Sequence, residues 1–445
     1  MTLTSSTDHW TWARWAALHG VPRASLTIQA RRGQPLARLL LGRTDRWERL
    51  QLFEQLRSVG PLVRTPMVWV TADHEACRTI LRDNRFGAGG PSETGLPGPL
   101  QALARRTDPA LPNPVEAPSM LMVDPPDHTR FRRLVARSFT PRSIGTLENR
   151  INALTAELLD DLQTRRDVDL IADYAAQLPA AIITEMLGLP AKDRPRILGW
   201  GSTGAALLDI GVTWPAFRAA VNDLRMIDDY LTGHFARLRT EGGDGTPFSD
   251  MALEGGLTDR ELKANATLLV GAGVDTTLNL IGNGITALLQ HPDQLALLRD
   301  DPTLWPSAIE EILRFDSPVQ ITSRKALCDM DIVGTHLREG EGVVLLLGGA
   351  NRDPRVFDYP DRFDITRPNA RDHLAFASGI HVCLGAALAR NEGVTALREL
   401  FTRFPDLRFE APPEPHGLVN LQGYRRLPVR LGPTFAGSDA HAPAM

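Results

Sequence analysis

Apolar residues recur every three or four positions through five blocks of the chain: Arg46 to Leu56, Leu147 to Leu162, Tyr174 to Leu187, Pro215 to Leu238 and Leu257 to Leu289. That spacing collects them on one side of a 3.6-residue turn, so each block predicts a helix with a buried face. Short β-branched and aromatic runs predict strands at Pro61 to Val70 and, after Arg314, around Val319–Ile321, Ile332–Val333 and Val343–Leu347. A last helix is expected after Cys383. Two glycine-rich stretches interrupt the pattern. Gly87 to Pro99 reads as a long loop, a feature often tied to function, and Glu241 to Gly256 reads as a surface loop between two helices. The first 45 residues gather Trp10, Trp12 and Trp15 ahead of Arg31, Arg32 and the apolar Leu39–Leu41. Aromatics beside arginine suit a membrane interface; an arm packing on the body is the reading adopted. The whole pattern predicts a mainly α protein with a smaller β part.

At 43% hydrophobic and 23% charged over 445 residues, the composition is globular and excludes disordered, collagenous and coiled-coil classes. A net charge of −4 argues against nucleic acid as a partner. No apolar run approaches the roughly 20 residues of a membrane span, so no transmembrane anchor is expected. Asp8 stands where a signal peptide would be basic. Cys77, Cys328 and Cys383 are too scattered for a disulfide framework, which points to a reducing cytoplasm.

Cys383 is the foremost chemical candidate. It lies in Phe376-Ala-Ser-Gly379-Ile-His381-Val-Cys383-Leu-Gly385, ahead of a helix whose N-terminal dipole would favour a thiolate. Such a thiolate is a nucleophile or a metal ligand, and no second cysteine stands at zinc-ligand spacing. The glycines at 379 and 385 would let backbone approach a flat ligand. Gly271-Ala272-Gly273 puts two glycines inside a helix, each costing about 1 kcal/mol, beside an acid–hydroxyl pair, Asp275–Thr276, suited to proton relay. Glu311 and Arg314 read in isolation as a surface i,i+3 pair. Asp124-Pro-Pro-Asp-His128-Thr-Arg130-Phe-Arg132-Arg133 opens a helix with basic groups that suit an anionic ligand or partner.

Together and in this order, these motifs resemble the cytochrome P450 superfamily, in particular its soluble, chiefly actinobacterial branch. Asn351-Arg-Asp-Pro354 and Pro360 to Arg367 are similar to the family's meander segment, and Ala377 departs from its usual glycine. The resemblance implies a mainly α fold, a triangular helical prism around haem with a small β-rich lobe. It implies one domain over 46–433, between an arm at 1–45 and a flexible tail at 434–445. Cys383 would be the axial ligand of the iron of haem b, within a loop that includes Phe376, Gly379 and Gly385. His381, Arg324, His128 and Arg132 would meet its propionates, and Ala272 and Gly273 would leave room for dioxygen and substrate. Asp275 and Thr276 would deliver protons, while Glu311, Arg314 and Arg367 would form a structural network. The implied activity is a cytoplasmic monooxygenase that hydroxylates or epoxidises a lipophilic small molecule with O₂. Its electrons would come from NAD(P)H through a ferredoxin reductase and a ferredoxin, received on a face bearing Arg130, Arg133 and Arg137. Rival activities are desaturation or oxidative coupling on the same fold, a haem-based sensor, and a helical hydrolase using Cys383. Expected pocket walls are Gly87–Pro118, the helices between Asp193 and Leu238 (with Trp200, Leu207, Leu208, Ile210 and Trp214), Val319–Ile321 and the turn at Leu421–Gly423.

Overall fold

A capping box starts the helix that organises the molecule. The Thr258 side chain accepts the Glu261 amide, and the Glu261 carboxylate accepts the amide of Thr258. The central helix that follows, Asp259–Gln290, runs 32 residues and buries side chains around most of its circumference, from Leu262 through Val274 to Ile285. A helix apolar on all sides belongs inside the protein. It packs against the helices Gln177–Met186, Arg194–Ala205, Trp305–Phe315 and Ala386–Arg403. These elements share one continuous apolar core.

The structure is a computed structural model describing residues 6–42, 44–89, 96–243 and 246–432. The five periodic blocks form helices, and the helix expected after Cys383 forms as Ala386–Arg403. The β part is a five-stranded sheet in the order Val63–Arg64, Trp69–Thr71, Gly342–Leu346, Ile321–Ala326, Phe86–Ala88, with smaller sheets beside it. Its one parallel pairing joins Trp69–Thr71 to Gly342–Leu346. The fold is mainly α, as the periodicity predicts.

Two expectations are corrected. The Glu241–Gly256 segment contains a helix, Pro247–Glu254, with Thr246 as its cap. The glycines at 242, 243, 255 and 256 bracket that helix with left-handed turns instead of filling a loop. The Gly87–Pro99 loop is shorter than expected. Phe86–Ala88 pairs antiparallel with Arg324–Ala326, and a helix begins at Gly98. The tail at 434–445 lies outside the described residues.

The N-terminal arm folds as the helices Ser6–Trp15, Val21–Arg31 and Pro35–Leu40 with a π-turn at Ala16–Gly20. It packs on the body, while Trp10 and Trp12 stay half exposed. Among the described residues no helix is long and apolar enough to cross a membrane.

Candidate functional site

The loop that presents Cys383 is fixed before the thiol is reached. The Cys383 amide donates to the Phe376 carbonyl at 2.9 Å, and the Arg82 guanidinium donates to the Ser378 hydroxyl at 3.1 Å. Gly379 has φ +72°, and any side chain there would meet the Leu81 carbonyl oxygen. Its glycine therefore answers to a neighbouring backbone as well, a constraint the sequence does not show. Gly385 has an ordinary φ of −82° and caps the Ala386–Arg403 helix. Ala377 holds φ +57°, a left-handed conformation that a methyl-bearing residue adopts at a cost.

The Cys383 side chain is exposed and lines a cavity of about 430 Å³. Burial pushes its thiol up, outweighing the Gly385 amide and the positive charges of Arg132 and Arg390. The helix start works against that burial through the Gly385 amide. A coordinated metal ion would deprotonate the thiol outright.

At one edge of this cavity four basic side chains converge, the guanidiniums of Arg132 and Arg324 and the imidazoles of His128 and His381. The two imidazoles lie 4.2 Å apart between ring centroids, and each has a buried Nε2 without a hydrogen-bond partner. Burial, then Arg324, His128 and Arg132, depresses His381 to about 3, and burial depresses Arg324 to about 10. Asp124 is the carboxylate opposing His128 and Arg324, and it is itself held by the Ala88 amide at 2.7 Å. Buried charge of one sign with orphaned donors calls for an anionic ligand.

The central helix crosses the cavity opposite Cys383. Gly271, Ala272, Thr276 and Thr277 line it. The Thr276 hydroxyl donates back to the Ala272 carbonyl at 2.5 Å, within an unbroken helix. Gly273 also borders the cavity, but a Cβ there would sit 2.5 Å from Ile183 Cδ1, so its glycine serves helix packing. Asp275 does not line the cavity. It turns toward Gly201, its Oδ2 has no partner, and burial raises it to about 7.

Glu311 and Arg314 are not a surface pair. Both side chains are fully buried and bonded twice, at 2.7 and 2.8 Å. Arg314 also donates to the carbonyls of Asn351, Pro360 and Arg362, and Arg367 joins Glu311 at 3.2 Å. Surrounding carbonyls supply what the pair would lose in leaving water. Nearer Cys383, Glu310 binds Arg390 at 2.7 Å and His373 at 3.1 Å, while Arg390 stacks on Phe376.

Of the expected pocket walls, Ala88, Val115, Leu208, Ile210, Val319, Ile321 and Leu421 line the cavity. Trp200 instead meets Tyr230 edge to face, Leu207 is core, and Trp214 meets Trp15. Arg130 is not a free docking group, because it is clamped to Glu261 at 2.7 Å and to Asp127 at 2.9 Å. Two features escaped the sequence reading. Glu392 lines the cavity fully buried, with an orphaned Oε2 and a carboxyl that burial raises to about 8. Its helical phase with Gly385 and Leu388 was the available signal. The arm's contribution to the cavity was the other.

A largely apolar chamber lined by a thiol, the central helix and a cluster of basic groups suits a haem-binding oxygenase. The comparisons supply the family. The cytochrome P450 family model matches residues 225–415. The cytochrome P450 140 of Mycobacterium tuberculosis is 43% identical over 94% of this chain and 97% of its own length. The vitamin D(3) 25-hydroxylase of Pseudonocardia autotrophica is 44% identical over 74% of this chain and 80% of its own. A crystal structure of P450BioI bound to acyl-carrier-protein-linked hexadec-9Z-enoic acid superposes with TM-score 0.78 at 34% identity, covering 86% of this chain and 98% of that one. The chain belongs to the cytochrome P450 family. It is a haem-dependent monooxygenase, an oxidoreductase that uses O₂, a redox partner and a small-molecule substrate.

Proposed function

We propose that this protein inserts one oxygen atom of O₂ into a neutral lipophilic molecule, with Cys383 as the axial ligand of haem b. The observation that carries this reading is the cavity's division of charge. Its cations, Arg132 and Arg324, sit at the Cys383 end with the imidazoles of His128 and His381, a set that fits two propionates. The far end offers apolar walls and uncharged polar groups, with Asp209 bound to the Val419 and Asn420 amides. Among the described residues a carboxylate substrate would find no cation there, which favours neutral compounds of the steroid, terpene or polyketide kind.

Haem supplies the oxygen chemistry, and the protein's residues position and protonate. Thr276 presents its hydroxyl to the space facing Cys383. Asp275, half protonated near neutral pH, stands one residue behind it as a proton source. Phe376 and Gly385 border the ligand from the thiol side, and Ala272 keeps the opposite wall low. Electrons would come from NAD(P)H through a ferredoxin reductase and a ferredoxin. Arg133, exposed on the helix that carries His128 and Arg132, would meet the acidic carrier. Three unpaired cysteines accord with a cytoplasmic location.

The test is spectral and chemical. The reduced, CO-bound protein should show the strongly red-shifted Soret band of thiolate ligation. Cys383→Ser should abolish it, and Cys77→Ser and Cys328→Ser should keep it. Substrate-dependent NAD(P)H consumption should yield an oxygenated product. A band surviving in Cys383→Ser would overturn the assignment.

A further inference from the structure

The cavity that begins at Cys383 ends against residues far from any haem contact. Leu18, Leu26, Leu36 and Leu40 of the N-terminal arm line it, together with Gln29 and Gln34. The arm is pinned on two sides. Toward one wall, Trp15 Nε1 donates to the Val212 carbonyl at 2.8 Å and Arg23 donates to the Gly211 carbonyl at 2.6 Å, while His19 packs on Phe217. Toward the other, Arg14 bonds the Ala104 carbonyl and Glu116, and Ala17 and Leu18 share an apolar cluster with Leu96 and Ala104. A third anchor joins Leu26, Leu36, Leu39 and Leu40 to the sheet through Phe53, Val70 and Leu346. A segment fixed on three sides is a wall of set position, not a loose lid.

We propose that the N-terminal arm is the far wall of the substrate chamber and a determinant of specificity, limiting substrate length and offering amides to a distal polar group. The proposal rests on the monooxygenase reading. Leu26 and Leu36 are 2% and 5% exposed and have little room to yield. Gln29, tied to Ser25 at 3.0 Å, keeps its amide oxygen as an acceptor that suits a hydroxyl. The arm therefore selects molecules that fill the chamber and carry a neutral hydrogen-bonding group at the end away from the oxidised carbon.

N-alkylimidazoles make a ruler for this wall. In 1-butylimidazole and 1-dodecylimidazole the same ring nitrogen would ligate the haem iron, and only the long tail reaches the arm. Titrating the holoenzyme and following the spectral shift of nitrogen ligation gives both affinities. Leu26→Trp should weaken 1-dodecylimidazole at least tenfold and leave 1-butylimidazole within about twofold. Leu36→Ala, which tests the wall should the bulky variant not fold, should move the tightest-binding chain length upward. Dodecyl binding unchanged in Leu26→Trp, or weakened equally with butyl, would overturn the proposal, as would a length optimum unmoved by Leu36→Ala. Absence of the red-shifted CO band in the unaltered protein would sink the monooxygenase reading instead, so the two failures are distinguishable.

Discussion

Asp275 and Thr276 are chain neighbours that meet different surroundings: Thr276 lines the cavity, and the Asp275 carboxyl is buried toward Gly201. A proton leaving Asp275 must pass the helix backbone to reach the site of reaction, and Thr276, bonded to the Ala272 carbonyl, stands at that crossing.

Thr276→Ala should retain haem and substrate binding while diverting reducing equivalents to hydrogen peroxide. Asp275→Asn should lower turnover about 10²–10⁴-fold with smaller loss of coupling. Because burial holds Asp275 at about 7, its protonated fraction falls as pH rises through that value. Turnover should therefore decline on the alkaline side of about 7, and Asp275→Asn should remove that limb. Product and peroxide yields measured from pH 5.5 to 9 decide it.

Removing one member of the Glu311–Arg314–Arg367 cluster strands buried cations. Glu311→Gln should cost about 3–5 kcal/mol in denaturant unfolding of the holoenzyme. A change below about 1 kcal/mol would mean the pair is exposed in solution, as its i,i+3 spacing alone suggests.

Arg133→Glu should slow reduction by a ferredoxin and flatten the salt dependence of that rate. Peroxide-driven turnover, which needs no carrier, should be unchanged. Stopped-flow reduction at several ionic strengths reads the first, and product yield reads the second. Equal losses by both routes would reject a docking role.

Ala377 occupies φ +57°, where a Cβ costs about 1–2 kcal/mol and glycine costs none. Glycine's greater freedom in the unfolded chain returns about 0.4–1 kcal/mol. Ala377→Gly should therefore stabilise by up to about 1 kcal/mol, and Ala377→Val should destabilise. Thermal unfolding of the three proteins at one pH orders them.

The long helices and the haem loop were legible because each rests on local signals: 3.6-residue periodicity, a helix start, and glycines beside a single cysteine. The environments of those residues were not. Nothing in Glu311-Ile-Leu-Arg314 tells that Asn351, Pro360 and Arg362 will surround it with carbonyls, because those partners arrive from another part of the chain. Gly379 and Gly273 have a second reason to be glycine that the sequence does not show, since Leu81 and Ile183, which crowd them, are distant in sequence. Trp200 and Trp214 were placed on the pocket wall by analogy with the family; their rings instead meet Tyr230 and Trp15. The arm's place in the cavity depends on contacts spanning from Trp15 to Val212, which no window of sequence contains.

That span has a consequence for biosynthesis. The arm is made first, yet the Val212 carbonyl that Trp15 grips comes 197 residues later, and Val344 and Leu346, which pack with Leu26 and Leu36, come later still. Contacts so distant in sequence form late. On a growing chain the leucines of Val21–Arg31 and Pro35–Leu40 must wait without their partners, as an exposed apolar segment of the kind that chaperones hold. The chamber is thus finished only when nearly all of the chain has been translated, and its oldest residues are among the last to settle.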